Sequence, residues 1–592
     1  MRRTFRTKHL FILVFAIAVV MAVFPALAAA VDVANQTELF TAVTNAGTTP
    51  TTINVTTDIP IDAALIIPVG ADITLTAPVG VDNAVYRVAT AGPTVIVNGK
   101  LTLDGARITK GDIAGRGVAV NSGGMFHLKS GTIDQNTTTN EDGAGIFNMG
   151  TTLITGGTIQ YNDAQGASGG GISNVGTLTI EGGVISGNSA TYVGGGIDHW
   201  SGTLTITGGT IEYNEAENGG GISNYATMTE NGGLITHNTA IERGGGIYSA
   251  TTLTLNNASV TYNKAKNGGG IYFDNSGATF TFNGDTFGAN EATERGGGMY
   301  GNAELVTVAG GSVVDNTAGE YGGGIYMTDV RWFEDGSSEQ LFGGKLVLSA
   351  ELVAGNSATG LAPTLGYGGG VFSAVSVEVI NTVVEDNEGN KGGGLYISDN
   401  VQATGLISNS TFENNTARAD GGAIWIRYEE LASLTVEASA LFADNRATGP
   451  YDRNPVDDAT YAAHIFATTW SAPLTQGYNN WDISYTQGEA VPRFSVTFAP
   501  GAHGAFTGVI YIDVLRNSAT PTPPTPTPAA GWKFAGWSPA LAPTVTGNVV
   551  YTAQWTKIET MPPTGDGMAL WAPMLFTLMG CVCISSLTRK KR

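Results

Sequence analysis

The chain holds almost no cysteine: two in 592 residues, Cys581 and Cys583, both inside its last apolar segment. A disulfide framework is therefore excluded as the source of stability for most of its length. Charge is sparse as well, at 13% Asp, Glu, Lys and Arg, and 29 basic residues face 50 acidic ones. A net charge of −21 argues against nucleic acid or anionic lipid as a partner. The 6 histidines are scattered, and no metal or cofactor is expected. Missing too, across residues 131–445, are apolar runs with a 3.6-residue period. That absence excludes helical and leucine-rich repeats.

What is abundant is glycine, 83 residues, much of it in a phrase that recurs from residue 131 to residue 445. Each unit has two anchors. One is Gly-x-(Ile/Val/Phe)-x-x-Asn, as in Gly209-Thr210-Ile211-Glu212-Tyr213-Asn214, and the other is a glycine triplet before an apolar residue, as in Gly219-Gly220-Gly221-Ile222. Successive anchors lie mostly 24 to 29 residues apart, with one step of 46 between Gly322 and Gly368. A fixed period of this size marks a solenoid, whose units bury their apolar faces only by stacking. Between the anchors run short alternating stretches such as Thr203-Leu204-Thr205-Ile206-Thr207, which have the period of two of strands. At about 3.3 Å per strand residue, three short strands and tight corners fill one coil. The expected fold is all-β, a right-handed parallel β-helix of about 12 to 14 coils, similar to the pectate-lyase solenoid, with the hand taken from the crossover rule.

The anchors then have structural roles. Triplet glycines suit a corner that needs positive φ where neighbouring corners crowd. The apolar residue after each triplet, from Ile146, Ile172 and Ile197 to Leu395 and Ile424, is expected to point inward as one row. The recurring asparagines are expected to form a second column, satisfying corner backbone groups and bonding to the asparagine of the next coil.

Phe412-Glu413-Asn414-Asn415 followed by Gly421-Gly422-Ala423-Ile424 resembles the paired FxxN and GGA(I/L/V) motifs of polymorphic outer membrane protein repeats. The resemblance spans residues 131–445 and implies a right-handed β-helix displayed on a cell surface, in a family associated with adhesion. The C-terminus departs from that family, which ends in a membrane β-barrel.

Residues 1–30 read as a signal peptide, with Arg2, Arg3, Arg6 and Lys8 before an apolar run of about 15 residues and an Ala-x-Ala cleavage site. Residues 31–92 lack the glycine phrases and are expected to cap the β-helix that occupies 93–490, with a short amphipathic helix at Asn35-Gln36-Thr37-Glu38-Leu39-Phe40-Thr41-Ala42-Val43.

One column of the repeats stands apart. The residue after each inward apolar residue should face solvent. Seven successive units place Tyr248, Tyr272, Tyr300, Tyr326, Phe372, Tyr396 and Trp425 there, where earlier units have Ser173, Asp198 and Ser223. Such a stripe is a candidate platform for sugar rings or for a protein partner, or else a stack that stabilises the sheet. The 46-residue step holds two insertions, 330–344 with Trp332 and Phe333, and 358–366; a further loop runs through 448–460. Inserted loops of a solenoid are where function concentrates.

A catalytic reading finds little. A glycosidase needs paired carboxylates. The hydrolase phrases of this fold are absent in usable form, and Asp457-Asp458 has neither catalytic nor calcium-binding partners. Glu212, Glu385 and Glu413 occupy equivalent positions in different coils and read as a solvated face. A polysaccharide lyase or glycoside hydrolase is the alternative to a binding protein.

Beyond the coils, residues 491–556 change character. Phe494-Ser495-Val496-Thr497-Phe498, Gly531-Trp532-Lys533-Phe534-Ala535-Gly536-Trp537 and Val550-Tyr551-Thr552-Ala553-Gln554-Trp555 resemble an internalin-type B-repeat, a small β-grasp module of bacterial surface proteins, interrupted by the Pro/Thr insert 520–528. Trp532, Trp537 and Trp555 are expected in its core. Residues 557–592 resemble the LPxTG sorting signal of Gram-positive surface proteins: Met561, Pro562, Pro563, Thr564 and Gly565, then an apolar span from 568 to 587 and the basic tail Arg589-Lys590-Lys591-Arg592. The resemblance implies that a sortase cleaves after Thr564 and joins Thr564 to peptidoglycan in the cell wall. Processing to 31–564 leaves 21 basic and 49 acidic residues, a net charge of −28, and no cysteine. The expected protein is a cell-wall-anchored, adhesin-like surface module, with a host or neighbouring-cell glycan or protein as ligand.

Overall fold

The computed structural model describes residues 30–447 and 493–558, apart from short breaks, together with Ile483 and Ser484. The signal segment 1–29, the loop 448–460 and the sorting signal from Met561 to the C-terminus lie outside the described residues.

The repeats wind a right-handed parallel β-helix of about 15 turns. This is more than the repeats alone indicated, because the glycine-poor stretch from Val31 already winds. Val31–Val33 pairs in parallel with Thr51–Val55, and that strand with Asp72–Thr76. The helix Gln36–Ala46 lies against these first coils and buries Leu39, Ala42, Val43 and Ala46. It starts where the Asn35 side chain accepts from the Glu38 amide at 3.1 Å while the Glu38 carboxylate reaches back to the Ala34 amide at 2.8 Å, a reciprocal cap.

A coil has four strand segments, where three were expected. Ile197–His199, Thr203–Ile206 and Thr210–Glu212 belong to the main sheet, and Glu215–Asn218 to a separate 12-stranded sheet. The break between them is the pair Tyr213-Asn214. Tyr213 has φ +54°, and the left-handed residue turns the chain too sharply for one ladder to continue. The apolar residues after the triplets are buried as one inward file, as expected, with Ile222, Ile247, Ile271, Met299 and Ile325 all at 0% exposure. The first glycine of each triplet has φ between +61° and +71°. A Cβ on the second, Gly245, would strike the carbonyl oxygens of Lys264 and Gly269 in the next coil.

The asparagine column is a continuous buried amide ladder. Asn136, Asn162, Asn188, Asn214, Asn238, Asn263, Asn290, Asn316, Asn356, Asn387, Asn415 and Asn445 are each 0–2% exposed. From Asn136 to Asn415 each Nδ2 donates to the next Oδ1 at 2.8–3.1 Å. The same oxygen also accepts the backbone N–H of the preceding asparagine, as in Asn214 to Asn238 at 3.0 Å. The second amide hydrogen returns to the coil before, as from Asn238 to the Ile211 carbonyl at 2.9 Å. From Asn162 onward the amide oxygens of the corner are thus used, as burial at this depth demands, whereas the Asn136 oxygen at the start of the ladder has no partner among the described residues.

The first insertion carries an antiparallel hairpin of Val330–Trp332 and Ser338–Gln340. The C-terminal module is small and sheet-rich. Arg493–Ala499 and Val549–Lys557 pair in parallel, and Trp532–Ser538 runs antiparallel to the latter. Val496, Phe498, Tyr551 and Ala553 are buried there, whereas Trp532, Trp537 and Trp555 are half-buried at the margin of that core. Among the described residues no helix is long and apolar enough to cross a membrane.

One interior position carries a charge. Glu230 stands in the inward file between Ile206 and Leu255 and is fully buried, and neither of its oxygens has a hydrogen-bond partner among the described residues. Burial, with Asp285 also inside, pushes its carboxyl up to about 8. Its proton is therefore retained on folding, and the associated stability is full below the ordinary carboxyl range and is lost as pH rises toward 8. Thermal melts of the wild type should fall between about pH 5 and pH 8, by an amount on the order of a few kcal/mol. Glu230→Leu should flatten that slope; an unchanged slope would show that another group causes it. The ladder makes a separate prediction. Asn238→Ala strips the acceptor from two Asn214 donors, and a cost of about 2–4 kcal/mol should appear as a lowered melting temperature. An unshifted melt would contradict the ladder's structural role.

Candidate functional site: an aromatic spine on one wall

Strand alternation places the residue between two inward neighbours on the outer side, and Ile247–Ser249 does so with Tyr248. In-register pairing then stacks Tyr248 on Tyr272, followed by Tyr300, Tyr326, Phe372, Tyr396 and Trp425. The rings are 4.5–5.7 Å apart, and Tyr396 and Trp425 are parallel to within 2°.

The expectation that this stripe faces solvent is corrected. Tyr272, Tyr300, Tyr326, Phe372, Tyr396 and Trp425 are only 5–8% exposed, and Tyr248 is half-buried. Two causes act together. Each ring covers the faces of its neighbours, and the residues that precede the glycine triplets fold over the flank of the stack. Arg243 lies over Tyr272 at 5.4 Å, Arg295 over Tyr326 at 5.9 Å, and Lys391 over Trp425 at 5.1 Å. Tyr321 and Tyr367 fill the same flank. Burial raises the Tyr300 hydroxyl well above its ordinary value, and the adjacent Tyr272 and Tyr326 rings add to the effect. The seven residues are brought together as expected, but as a second apolar core outside the coil.

Strand alternation also reaches residues that the sequence reading passed over. Trp200 and Tyr225 lie two positions after Asp198 and Ser223, on the same outer side, and continue the ring array beyond Tyr248 at 5.2 and 5.7 Å. Trp200 is 61% exposed, so the array opens to solvent at this end. Beside it Asp198 is 4% exposed, and burial, then the nearby Asp142, pushes its carboxyl up to about 7 against a hydrogen bond from Ser173. Its neighbour His199 points inward. Nδ1 accepts from Asn174 at 3.0 Å and Nε2 donates to the Thr227 carbonyl at 2.9 Å, a neutral arrangement in keeping with a pKa lowered by burial.

Of the dispersed acids, Glu385 and Glu413 are in-register neighbours on adjacent coils, whereas Glu212 is flanked by Ser186 and Thr236. Partial burial and then the neighbouring Glu413 raise the Glu385 carboxyl. Among the described residues no group of three or more His, Cys, Asp or Glu is placed to hold a metal ion. Asp457 and Asp458 lie outside the described residues.

Fold and site together define a repeat-built parallel β-solenoid with a ringed outer wall. Residues 409–427, which carry the Phe412 to Asn415 phrase and the glycine turn after it, match the model for the Chlamydia polymorphic membrane protein repeat. No curated protein and no solved structure matches the chain.

The spine predicts a split between its two ends. Tyr300→Ser, in the buried middle, should cost about 3–5 kcal/mol and lower the melting temperature. Trp200→Ser, at the open end, should leave the melt within a degree or two. Equal effects at both positions would contradict a buried spine.

Proposed function

We propose that this is a bacterial surface protein that works by attachment, an adhesin-like β-helix without catalysis of its own. The match of residues 409–427 to a repeat of surface proteins, set within an unbroken solenoid, is the observation that carries this reading. Its acidic, cysteine-free body supports it, since stability outside the cell then comes from stacking alone. In this reading residues 491–556 are a B-repeat-like spacer. The sequence Met561, Pro562, Pro563, Thr564 and Gly565 is the substrate of a sortase that joins Thr564 to the peptidoglycan of a Gram-positive cell wall, with the following apolar span serving as a transient membrane anchor. The ligand is a glycan or a protein on a host or neighbouring cell, and no nucleic acid is involved.

A polysaccharide-cleaving enzyme is the second reading, and Glu385 with Glu413 is where it would start. Coils about 4.8 Å apart bring two carboxylates close to the separation that a retaining glycosidase uses.

Expression in a Gram-positive host tests both parts. Wall-released protein should end at Thr564, and a membrane-bound chain that keeps Trp571 would contradict wall anchoring. Displaying cells should adhere to host cells or matrix better than cells lacking the protein, without releasing reducing ends from a polysaccharide panel. Equal adhesion overturns the attachment reading, and sugar release that Glu385→Gln abolishes would replace it with the enzymatic one.

A further inference from the structure

The residue before each ladder asparagine is left-handed throughout the solenoid. Gly187, Gly355, Asp315, Asp386, Asn414 and Asp444 suit that backbone. Tyr161, Tyr213 and Tyr262 do not, nor do Gln135, His237 and Ala289, yet all six adopt it with φ between +52° and +56°. Burial does not explain the three tyrosines either, because their rings are 61%, 57% and 54% exposed. Bulky side chains held in a disfavoured backbone conformation, without a core to fill, point to a use at the surface.

The rings make a file. Tyr213 stacks on His237 and His237 on Tyr262, each at 4.9 Å, with interplanar angles of 26° and 11°. That distance is close to the coil spacing of about 4.8 Å, and more than half of Tyr213 and of Tyr262 meets solvent along the file. Tyr161 lies over Gly187, where a Cβ would come 2.7 Å from its ring. The Tyr161 ring therefore occupies the space that Gly187 leaves in the coil between Tyr161 and Tyr213. On one side run Gln160, Ser186 and Glu212, and on the other Asp163, Ser189 and Glu215, all in register. Lys264, two residues after Tyr262, is paired with Glu291 at 2.7 Å.

We propose that Tyr161, Tyr213, His237 and Tyr262 form a binding track for a neutral, extended β-linked polysaccharide laid along the solenoid axis. Amide, hydroxyl and carboxylate flanks accept and donate to sugar hydroxyls, while their negative charge repels phosphate, sulfate and uronate. The spacing favours a glycan over a peptide. An extended peptide places same-side residues about 6.6 Å apart and falls out of step with the rings, whereas a β-linked pyranose chain advances about one sugar per coil. The track rests on the attachment reading and names its ligand class.

The test uses the full exported chain against an array of neutral linear hexasaccharides, of cello-, xylo- and manno-type, with oligogalacturonate as the acidic control. Wild type should bind at least one neutral glycan and not the acid. Tyr161→Asn, Tyr213→Asn and Tyr262→Asn combined should weaken binding at least tenfold with an unchanged or raised melting temperature, because asparagine accepts this backbone, and the corresponding triple Phe variant should retain binding. No neutral glycan bound, binding unchanged in the Asn variant, or binding lost only together with a lowered melt overturns the track. Cell adhesion measured on the same variants separates the two ideas. Adhesion that survives without glycan binding removes the track and leaves attachment standing, whereas wild-type cells that do not adhere remove attachment itself.

Discussion

Backbone groups of this solenoid find their partners one coil away, and the fold depends on that displacement. The N–H of a residue in one coil bonds to the carbonyl just before the equivalent residue in the next, as in Gly220 to Gly244 and Gly221 to Gly245. A displaced ladder needs coils of matched size whose corners turn at the same place. Left-handed corners and glycine triplets supply the turning, and the asparagine amides fix the register. Each of these amides is shared between its own coil and both neighbours, so a coil that slipped by one residue would leave buried donors without acceptors. That penalty exceeds what a surface contact could recover.

Inside and outside exchange character along the solenoid. In the early coils the residue that ends the first strand points inward and is polar: Asn148, Asn174, His199 and Asn224 bond along the axis or back to a strand carbonyl. In later coils the same inward position holds Phe273, Met327, Ile397 and Ile426, with Gly301 and the hydrogen-bonded Ser373 among them. The outer side changes in step, from Ser173, Asp198 and Ser223 to the ring stack. The later part therefore has largely apolar layers back to back across one strand, and the earlier part has one hydrogen-bonded file within an otherwise apolar interior. The exposed ring file at the asparagine corner, from Tyr161 to Tyr262, falls mainly on the early part.

Much of this was legible before any coordinates, and the limits have physical causes. The asparagine and isoleucine files follow from spacing alone, because stacking converts a sequence period into a spatial column. The direction of Tyr300 was legible too, from strand alternation, but its burial was not: a period of two tells which side a residue takes and is silent about what folds over it. Arg295 and Tyr321 cover the stack from positions ahead of the glycine turn, and only that turn brings them back. The fourth strand was hidden because Tyr213-Asn214 reads as a loop while the chain resumes pairing immediately afterwards. Early coils from Val31 onward escaped notice because they wind without glycine triplets. Glu230 looked like any polar residue in an alternating run, and its inward placement depends on register. Tyr161, Tyr213 and Tyr262 were passed over because nothing in their spelling signals a left-handed backbone.

Most contacts of a coil are with the coil before it and the coil after it, although Arg418 reaches two coils back to the Ala358 carbonyl at 2.7 Å, and no disulfide bridges distant ones within the described residues. Tension along the axis would then be resisted by one interface at a time. Peeling a single coil of about 25 residues would release roughly 80 Å of slack before the next interface bore load. A molecule built this way would yield to shear in small, recoverable steps and spare whatever bond holds it at either end.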